Sequence, residues 1–258
     1  MQLSGKIIVV TGAGSGIGKA LVKRFKAEGA QAIVAVDLNA ENAQQTANEF
    51  GCIAMTADVA NEQDIQRVIE DTESQVGPLD LFCSNAGVGA GESEQSANDE
   101  WQFCWDVNVM SHVYAARHMI PLMVARGGGN LLNTASAAGL LNQLGGAAYG
   151  TTKHAAVGFA EWIAMTYQHQ GINVSLLCPQ AVRTPMTDNA TDATKAAAGD
   201  GMMETEQLAD IVVEHLERDA FLILTHDEVK TYMQRKSADY DRWIGGMNRL
   251  WRRITGQD

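Results

Sequence analysis

Basic residues are in short supply. Nineteen lysines and arginines face 31 aspartates and glutamates, so the formal net charge is −12. That balance argues against nucleic acid or an anionic membrane as a partner. Long apolar runs are missing too. The longest, such as 7–10 and 32–36, are far too short to span a bilayer. The four cysteines, Cys52, Cys83, Cys104 and Cys178, form no C-x-x-C pair. Each lies in or beside an apolar stretch, which reads as buried free thiols in a reducing compartment, and no metal site is expected. The first residues carry no basic region followed by an apolar core and a cleavage site, so the expected location is cytoplasmic. There is no internal repeat, low-complexity tract or linker. What remains is 258 residues, 46 % apolar, enough to bury the core of one large α/β domain.

Short β-branched runs alternate with helical stretches. Residues 6–11 read as a buried strand that enters Gly12-Ala13-Gly14-Ser15-Gly16-Ile17-Gly18. Over 19–28, Leu21, Val22 and Phe25 fall on one side of a helix that Gly29 stops. Strand, glycine turn and helix open a dinucleotide-binding unit. Glycines let the backbone approach a pyrophosphate, and the helix N-terminus offers free N–H groups. The spacing is T-G-x-x-x-G-x-G, through Thr11, Gly12, Gly16 and Gly18.

Further strands are expected over 32–36, 52–56, 79–84, 129–134, 172–177 and 221–224. Helices are expected over 41–50, 61–76, 97–126 with a break near Asp106, 149–170 and 205–218. The alternation predicts one doubly wound, Rossmann-type α/β domain with a seven-stranded parallel sheet flanked by helices. A stretch over 183–205 reads as a lid. In the tail, 226–253, Tyr240, Trp243, Ile244, Met247, Leu250 and Trp251 recur at helical spacing, the mark of an amphipathic helix. That helix has three readings: packing on its own subunit, covering the lid, or reaching a neighbour.

Asp37 ends the second strand, about 20 residues past the glycines. A carboxylate there accepts hydrogen bonds from the adenosine ribose hydroxyls and repels a 2′-phosphate. No lysine or arginine stands at 13–15 or 38–40, so NAD is favoured over NADP. Asp37 is also placed to cap the next helix, a task equally open to Asn39. Later in the chain, Tyr149 and Lys153 are four residues apart, on one face of a helix. The ammonium favours the phenolate and is expected to lower the tyrosine pKa from about 10. A tyrosine so placed serves as a general acid or base.

Taken together, these motifs resemble the short-chain dehydrogenase/reductase family over nearly the whole chain. Asp58-Val59 matches the pair whose carboxylate contacts adenine. Ser84-Asn85-Ala86-Gly87 is similar to the family's N-N-A-G segment, with serine first. Asn108, Ser136, Tyr149 and Lys153 have the order and spacing of its catalytic tetrad. The stretch 179–186 is similar to its P-G-x-V-x-T motif, with Gln180 in place of the glycine. The resemblance implies a cofactor site of Gly12, Ser15, Gly16, Ile17, Gly18, Asp37, Asp58, Val59, Asn85, Ala86, Gly87, Tyr149, Lys153, Pro179, Val182 and Thr184. It also implies reversible hydride transfer between nicotinamide and a secondary alcohol. Tyr149 would move the hydroxyl proton and Ser136 would orient the substrate oxygen. Lys153 would assist Tyr149 and hold the ribose, while Asn108 would anchor a water.

Pocket walls are expected from 138–144, 180–186 and the lid near Met202 and Met203. These are largely apolar, which fits a hydrophobic or cyclic alcohol or ketone. Gln143 and Gln180 are candidate polar readers. Family resemblance further implies a homotetramer. The competing readings are an NADPH-dependent ketoreductase of the 3-oxoacyl type, which Asp37 opposes, and a non-catalytic NAD-binding protein, which the complete tetrad opposes.

Overall fold

The β-branched runs pair side by side in one sheet of seven parallel strands. A computed structural model describes residues 1–188 and 196–257. The strands are β1 (Ile7–Thr11), β2 (Ala32–Asp37), β3 (Ile53–Thr56), β4 (Leu81–Ser84), β5 (Gly129–Thr134), β6 (Ile172–Cys178) and β7 (Leu222–Leu224). Their spatial order is β3-β2-β1-β4-β5-β6-β7. The chain starts mid-sheet, winds to one edge, returns, and winds to the other. Where the winding reverses, between β1 and β4, the connections leave in opposite directions and a crevice opens at the carboxyl ends of the strands.

Side chains alternate along each strand, so both faces of the sheet carry apolar groups. On one face Val9, Val34, Phe82 and Leu131 pack under α3 (Glu62–Gln75), α5 (Ser111–Ala125) and α7 (Ala147–Tyr167). On the other, Ile8, Val10, Leu81 and Leu132 meet α1 (Gly16–Ala27) and α8 (Thr205–Glu217). Phe25 of α1 is fully buried. Burying a side chain of that size contributes about 1.5–3 kcal/mol. The short helix α2 (Ala40–Phe50) is capped by Asn39, whose side chain accepts from the Glu41 and Asn42 N–H groups.

Three features differ from the sequence reading. The expected break near Asp106 is a π-helical turn, Asp106–Met110, that joins α4 (Asn98–Trp105) to α5 without interrupting the helical path. Helix α7 begins at Ala147, two residues before Tyr149. The tail holds two helices, α9 (Asp227–Ala238) and α10 (Tyr240–Thr255). Helix α9 buries only Val229 and is anchored by polar contacts, such as the Lys236 ammonium donating to the Leu140 carbonyl. The apolar side of α10 carries the spacing read from the sequence. Trp243, Met247 and Trp251 face the loop 141–147 across a cavity of about 520 Å³. Of the lid, 189–195 lies outside the described residues.

One polar pair sits deep in the helical layer. His112 of α5 and Asn133 of β5 are buried, and neither imidazole nitrogen nor the Asn133 amide nitrogen has a hydrogen-bond partner. Burial, with the Lys153 ammonium nearby, holds the imidazole down to about 3, against the opposing influence of Asn133. The unfolded chain therefore binds one more proton than the folded chain as pH falls from 6.5 toward 3. Stability from this group is complete above 6.5 and is lost across that window, at up to about 1.4 kcal/mol per pH unit. Urea unfolding from pH 7 to pH 4 is expected to show a shallower acid loss in His112→Gln than in the parent; parallel curves would contradict the assignment.

Candidate active site

At the strand ends beside the β1–β4 reversal lies a cleft of about 370 Å³. Its first limb is the glycine turn. Gly12 has φ +65°, and a Cβ on Gly18 would stand 2.1 Å from the Gly12 carbonyl oxygen, so only glycine permits this turn. Ser15 precedes α1 and makes no side-chain cap, which leaves the first-turn N–H groups without a side-chain acceptor. Asp37 braces the same turn: its Oδ2 accepts from the Gly14 N–H at 2.8 Å and its Oδ1 from the Asn39 N–H at 3.0 Å. Because Asn39 caps α2, Asp37 is free of that task.

The strand ends are tied together by Thr11 and Asn85. The Thr11 hydroxyl accepts from the Asn85 and Ala86 N–H groups at 3.0 and 3.1 Å and donates to the Cys83 carbonyl. The Asn85 amide donates to the Thr11 carbonyl at 3.0 Å, and its oxygen accepts from the Thr134 hydroxyl at 3.2 Å. One side chain thus fixes β1, β4 and β5 at the crevice. Opposite the glycine turn, a Cβ on Gly16 would lie 3.2 Å from the Thr184 methyl, so the 182–187 segment closes down on the cradle. A Cβ-free floor, unfilled helix N–H groups and a carboxylate at the far end fit a dinucleotide.

The second limb carries Ser136, Tyr149 and Lys153. Ser136 follows β5 and is buried; its hydroxyl donates to the Pro179 carbonyl at 3.3 Å and accepts from the Ala138 N–H at 3.1 Å. Lys153, 3 % exposed, donates to the Thr134 carbonyl at 3.1 Å and lies 5.7 Å from the centre of the Tyr149 ring. Burial pulls its ammonium down to about 8, while the Cys104 and Cys178 thiols act the other way. The expectation for Tyr149 is corrected here. Burial pushes its hydroxyl above the ordinary phenolic value; the Ser136 hydroxyl opposes that shift and the two thiols add to it. Desolvation is the largest influence on this hydroxyl.

All sixteen residues expected to hold the cofactor line this one cleft, together with Ser136. Asn108 does not line it. Fully buried in the π turn, it clamps the backbone of Val88: its Oδ1 accepts from the Val88 N–H and its amide donates to the Val88 carbonyl, both at 2.9 Å. The amide also reaches the Thr152 hydroxyl at 3.1 Å. Gly87 lies between this clamp and the lysine, since a Cβ there would stand 3.2 Å from Asn108 Oδ1 and 3.3 Å from Lys153 Nζ.

The expected substrate walls separate. Gln180, Val182 and Met186 line the cleft, whereas 141–144 line the cavity under α10. Met203, half-buried, packs against the core and bridges to Val182. Leu38, Val88, Phe103, Val107 and Thr187 also line the cleft and escaped the sequence reading. No local motif marks them; they arrive through the helices and loops that bring them there.

Comparison with known proteins agrees with this geometry. The family described as short chain dehydrogenase matches residues 6–195. The chain is 32 % identical over 252 residues to a 1-deoxy-11-beta-hydroxypentalenate dehydrogenase of Streptomyces exfoliatus, covering 95 % of this chain and 91 % of that protein. It is 29 % identical over 231 residues to a cyclohexanol dehydrogenase of an Acinetobacter strain, covering 86 % and 92 %. Among solved structures, a short chain dehydrogenase/reductase from Burkholderia phymatum in complex with NAD superposes with a TM-score of 0.85 at 27 % identity, covering 93 % of this chain and 96 % of the other. On sequence, fold and cleft alike, the chain belongs to the short-chain dehydrogenase/reductase family.

Proposed function

We propose that this enzyme is an NAD-linked dehydrogenase of hydrophobic, cyclic secondary alcohols and the corresponding ketones. The observation that carries the reading is a single cleft with Asp37 at one end and Ser136, Tyr149 and Lys153 at the other. When bound, nicotinamide supplies the hydride acceptor and donor. The Gly12–Gly18 turn takes the pyrophosphate, and Asp58 and Val59 border the adenine. Asp37 accepts from the ribose hydroxyls and repels a 2′-phosphate. Pro179, Val182 and Thr184 hold the carboxamide end.

Ser136 binds the substrate oxygen and stabilises charge developing on it. Tyr149 takes the hydroxyl proton in oxidation and returns it in reduction. Its raised pKa keeps it protonated, the form needed for ketone reduction. Oxidation needs the phenolate, and the Lys153 ammonium provides the opposing charge. That charge is present below about 8 and is lost as pH rises through this value. Asn108 holds the 87–88 backbone beside the lysine and anchors the water that carries the proton onward. The relatives named above, dehydrogenases of 1-deoxy-11-beta-hydroxypentalenate and of cyclohexanol by name, support a cyclic alcohol.

The assembly we propose is a cytoplasmic homotetramer. Trp162 of α7 is 50 % exposed and Met165 is 77 % exposed, and Phe103 and Trp105 of α4 lie open as well. Large apolar groups on two helices favour contact with another copy.

A panel of secondary alcohols with NAD, followed at the NADH absorbance, should show turnover on cyclic members. Tyr149→Phe should lower kcat at least about a hundredfold while NAD binding is kept; near-parental turnover would remove Tyr149 from its role. Asp37→Ser should raise kcat/KM for NADP relative to NAD by about tenfold or more, and an unchanged ratio would place discrimination elsewhere. In sedimentation, Trp162→Glu combined with Met165→Glu should yield a lighter species than the parent, and equal mass would exclude that face as an interface.

A further inference from the structure

Two separate pieces of backbone hold the Ser136 hydroxyl. On one side is α6 (Ala138–Leu141), whose first N–H, that of Ala138, donates to the hydroxyl at 3.1 Å. On the other is the peptide between Pro179 and Gln180. Its carbonyl accepts from the Ser136 hydroxyl at 3.3 Å and from the Ala137 N–H at 2.7 Å. Neither piece is part of a long element. Helix α6 has four residues, and Pro179 stands just past the end of β6. Their further supports come from later in the chain.

Both are tied to one face of α9. Tyr232 and Lys236 are four residues apart on that helix, one turn from each other. The Lys236 ammonium donates to the Leu140 carbonyl of α6 at 2.7 Å. That carbonyl lies in the last turn, where a helix supplies no donor of its own and a cation is favoured. The Tyr232 hydroxyl donates to Asp200 Oδ1 at 2.9 Å, and Asp200 Oδ2 accepts from the Gln180 amide nitrogen at 2.8 Å. The same nitrogen donates to the Ala197 carbonyl at 3.0 Å, and the Gln180 backbone N–H reaches the Thr225 hydroxyl at 3.4 Å. The 179–180 peptide is thus held by its oxygen, by its N–H and by the side chain that follows. The glycine that the family resemblance leads one to expect at 180 lacks the amide that makes this second tie. Helix α6 is confined from below as well. A Cβ on Gly139 would stand 2.5 Å from the Lys153 carbonyl oxygen, so α6 sits directly on the turn of α7 that carries the lysine.

We propose that Tyr232 and Lys236 are positioning residues: α9 is a clasp that holds α6 and the 179–180 peptide at a fixed separation, and through them sets the Ser136 hydroxyl against the substrate oxygen. Gln180 is the link that joins the second arm to the clasp. This rests on the dehydrogenase reading and extends it to a helix that lines no part of the cleft. Misplacing such a hydroxyl by about an ångström corresponds to a loss on the order of tenfold to a hundredfold.

The test places the pair Tyr232→Phe and Lys236→Met in the parent and in Ser136→Ala. Tyr232→Phe keeps the ring beside Trp243 and removes only the hydroxyl, while Lys236→Met keeps an apolar stem. With cyclohexanol and NAD, the pair should lower kcat about tenfold in the parent and hold the Kd for NAD within about twofold. In Ser136→Ala the same pair should cost less than about twofold, because the group it positions is gone. An equal loss in both backgrounds, no loss in the parent, or weakened NAD binding overturns the proposal. Amide hydrogen exchange, read by mass spectrometry, needs no turnover. The pair should speed exchange over 137–142 by about tenfold and leave α3 at its parental rate. Unchanged exchange over 137–142, or faster exchange in both segments, overturns the clasp. If the parent turns over no secondary alcohol, the dehydrogenase reading fails by itself. The exchange result then decides whether α9 holds the two supports of Ser136, as it does if Ser136→Ala is too slow to follow.

Discussion

Lys153 is an ammonium group inside the protein with one carbonyl, that of Thr134, as its hydrogen-bond partner. Burying such a group is expensive, and the expense shows as a pKa drawn down to about 8. Much of the surrounding structure keeps the lysine there. Strand β5 presents the Thr134 carbonyl at its end. The β4 loop brings Gly87 close enough that any larger residue would crowd the ammonium. The π turn sends Asn108 to hold the next peptide, at Val88, from both its N–H and its carbonyl. Helix α7 positions Tyr149 one turn away. A cation this poorly solvated gains a great deal from nearby negative charge, which suits it to a tyrosine that must cycle through a phenolate.

The cradle for the cofactor follows a different logic, built on close backbone approach rather than charge. Glycines at 12 and 18 let two backbone segments touch, and Thr11 with Asn85 ties strands that meet only in the folded chain. Asp37 belongs to both descriptions, as a brace for the turn and as the negative wall at the ribose end.

Much of this was legible in the sequence because it is carried by contiguous motifs. The strand–glycine–helix unit, Asp37, the Asn85-Ala86-Gly87 loop and the Tyr149–Lys153 spacing each state a local requirement in a few residues. What escaped depends on three-dimensional placement. Loop 141–144 follows Ser136 closely, yet it lines the cavity under α10 because α6 (Ala138–Leu141) turns it outward. Desolvation raises the Tyr149 pKa, and no spacing rule encodes how deeply a hydroxyl is enclosed. A π turn changes backbone register by one residue and leaves no apolar signature, so the segment read as a helix broken near Asp106. Helix α9 went unseen because it has almost no buried face; its partners Asp200 and Leu140 lie far away in sequence.

The early reversal of the winding has a consequence for how the protein is made. Strand β1 pairs with β2 soon after both leave the ribosome, but its other neighbour, β4, arrives only after three helices and two more strands. The joint between Thr11 and Asn85 spans 74 residues. A nascent chain ending near Gly87 already holds the nucleotide cradle but leaves the far edge of β4 bare. That edge is the fully buried run Leu81–Ser84 in the finished molecule. An uncovered apolar edge strand is a template for pairing with another chain. The interval between emergence of β4 and of β5 is thus a stage of synthesis exposed to aggregation.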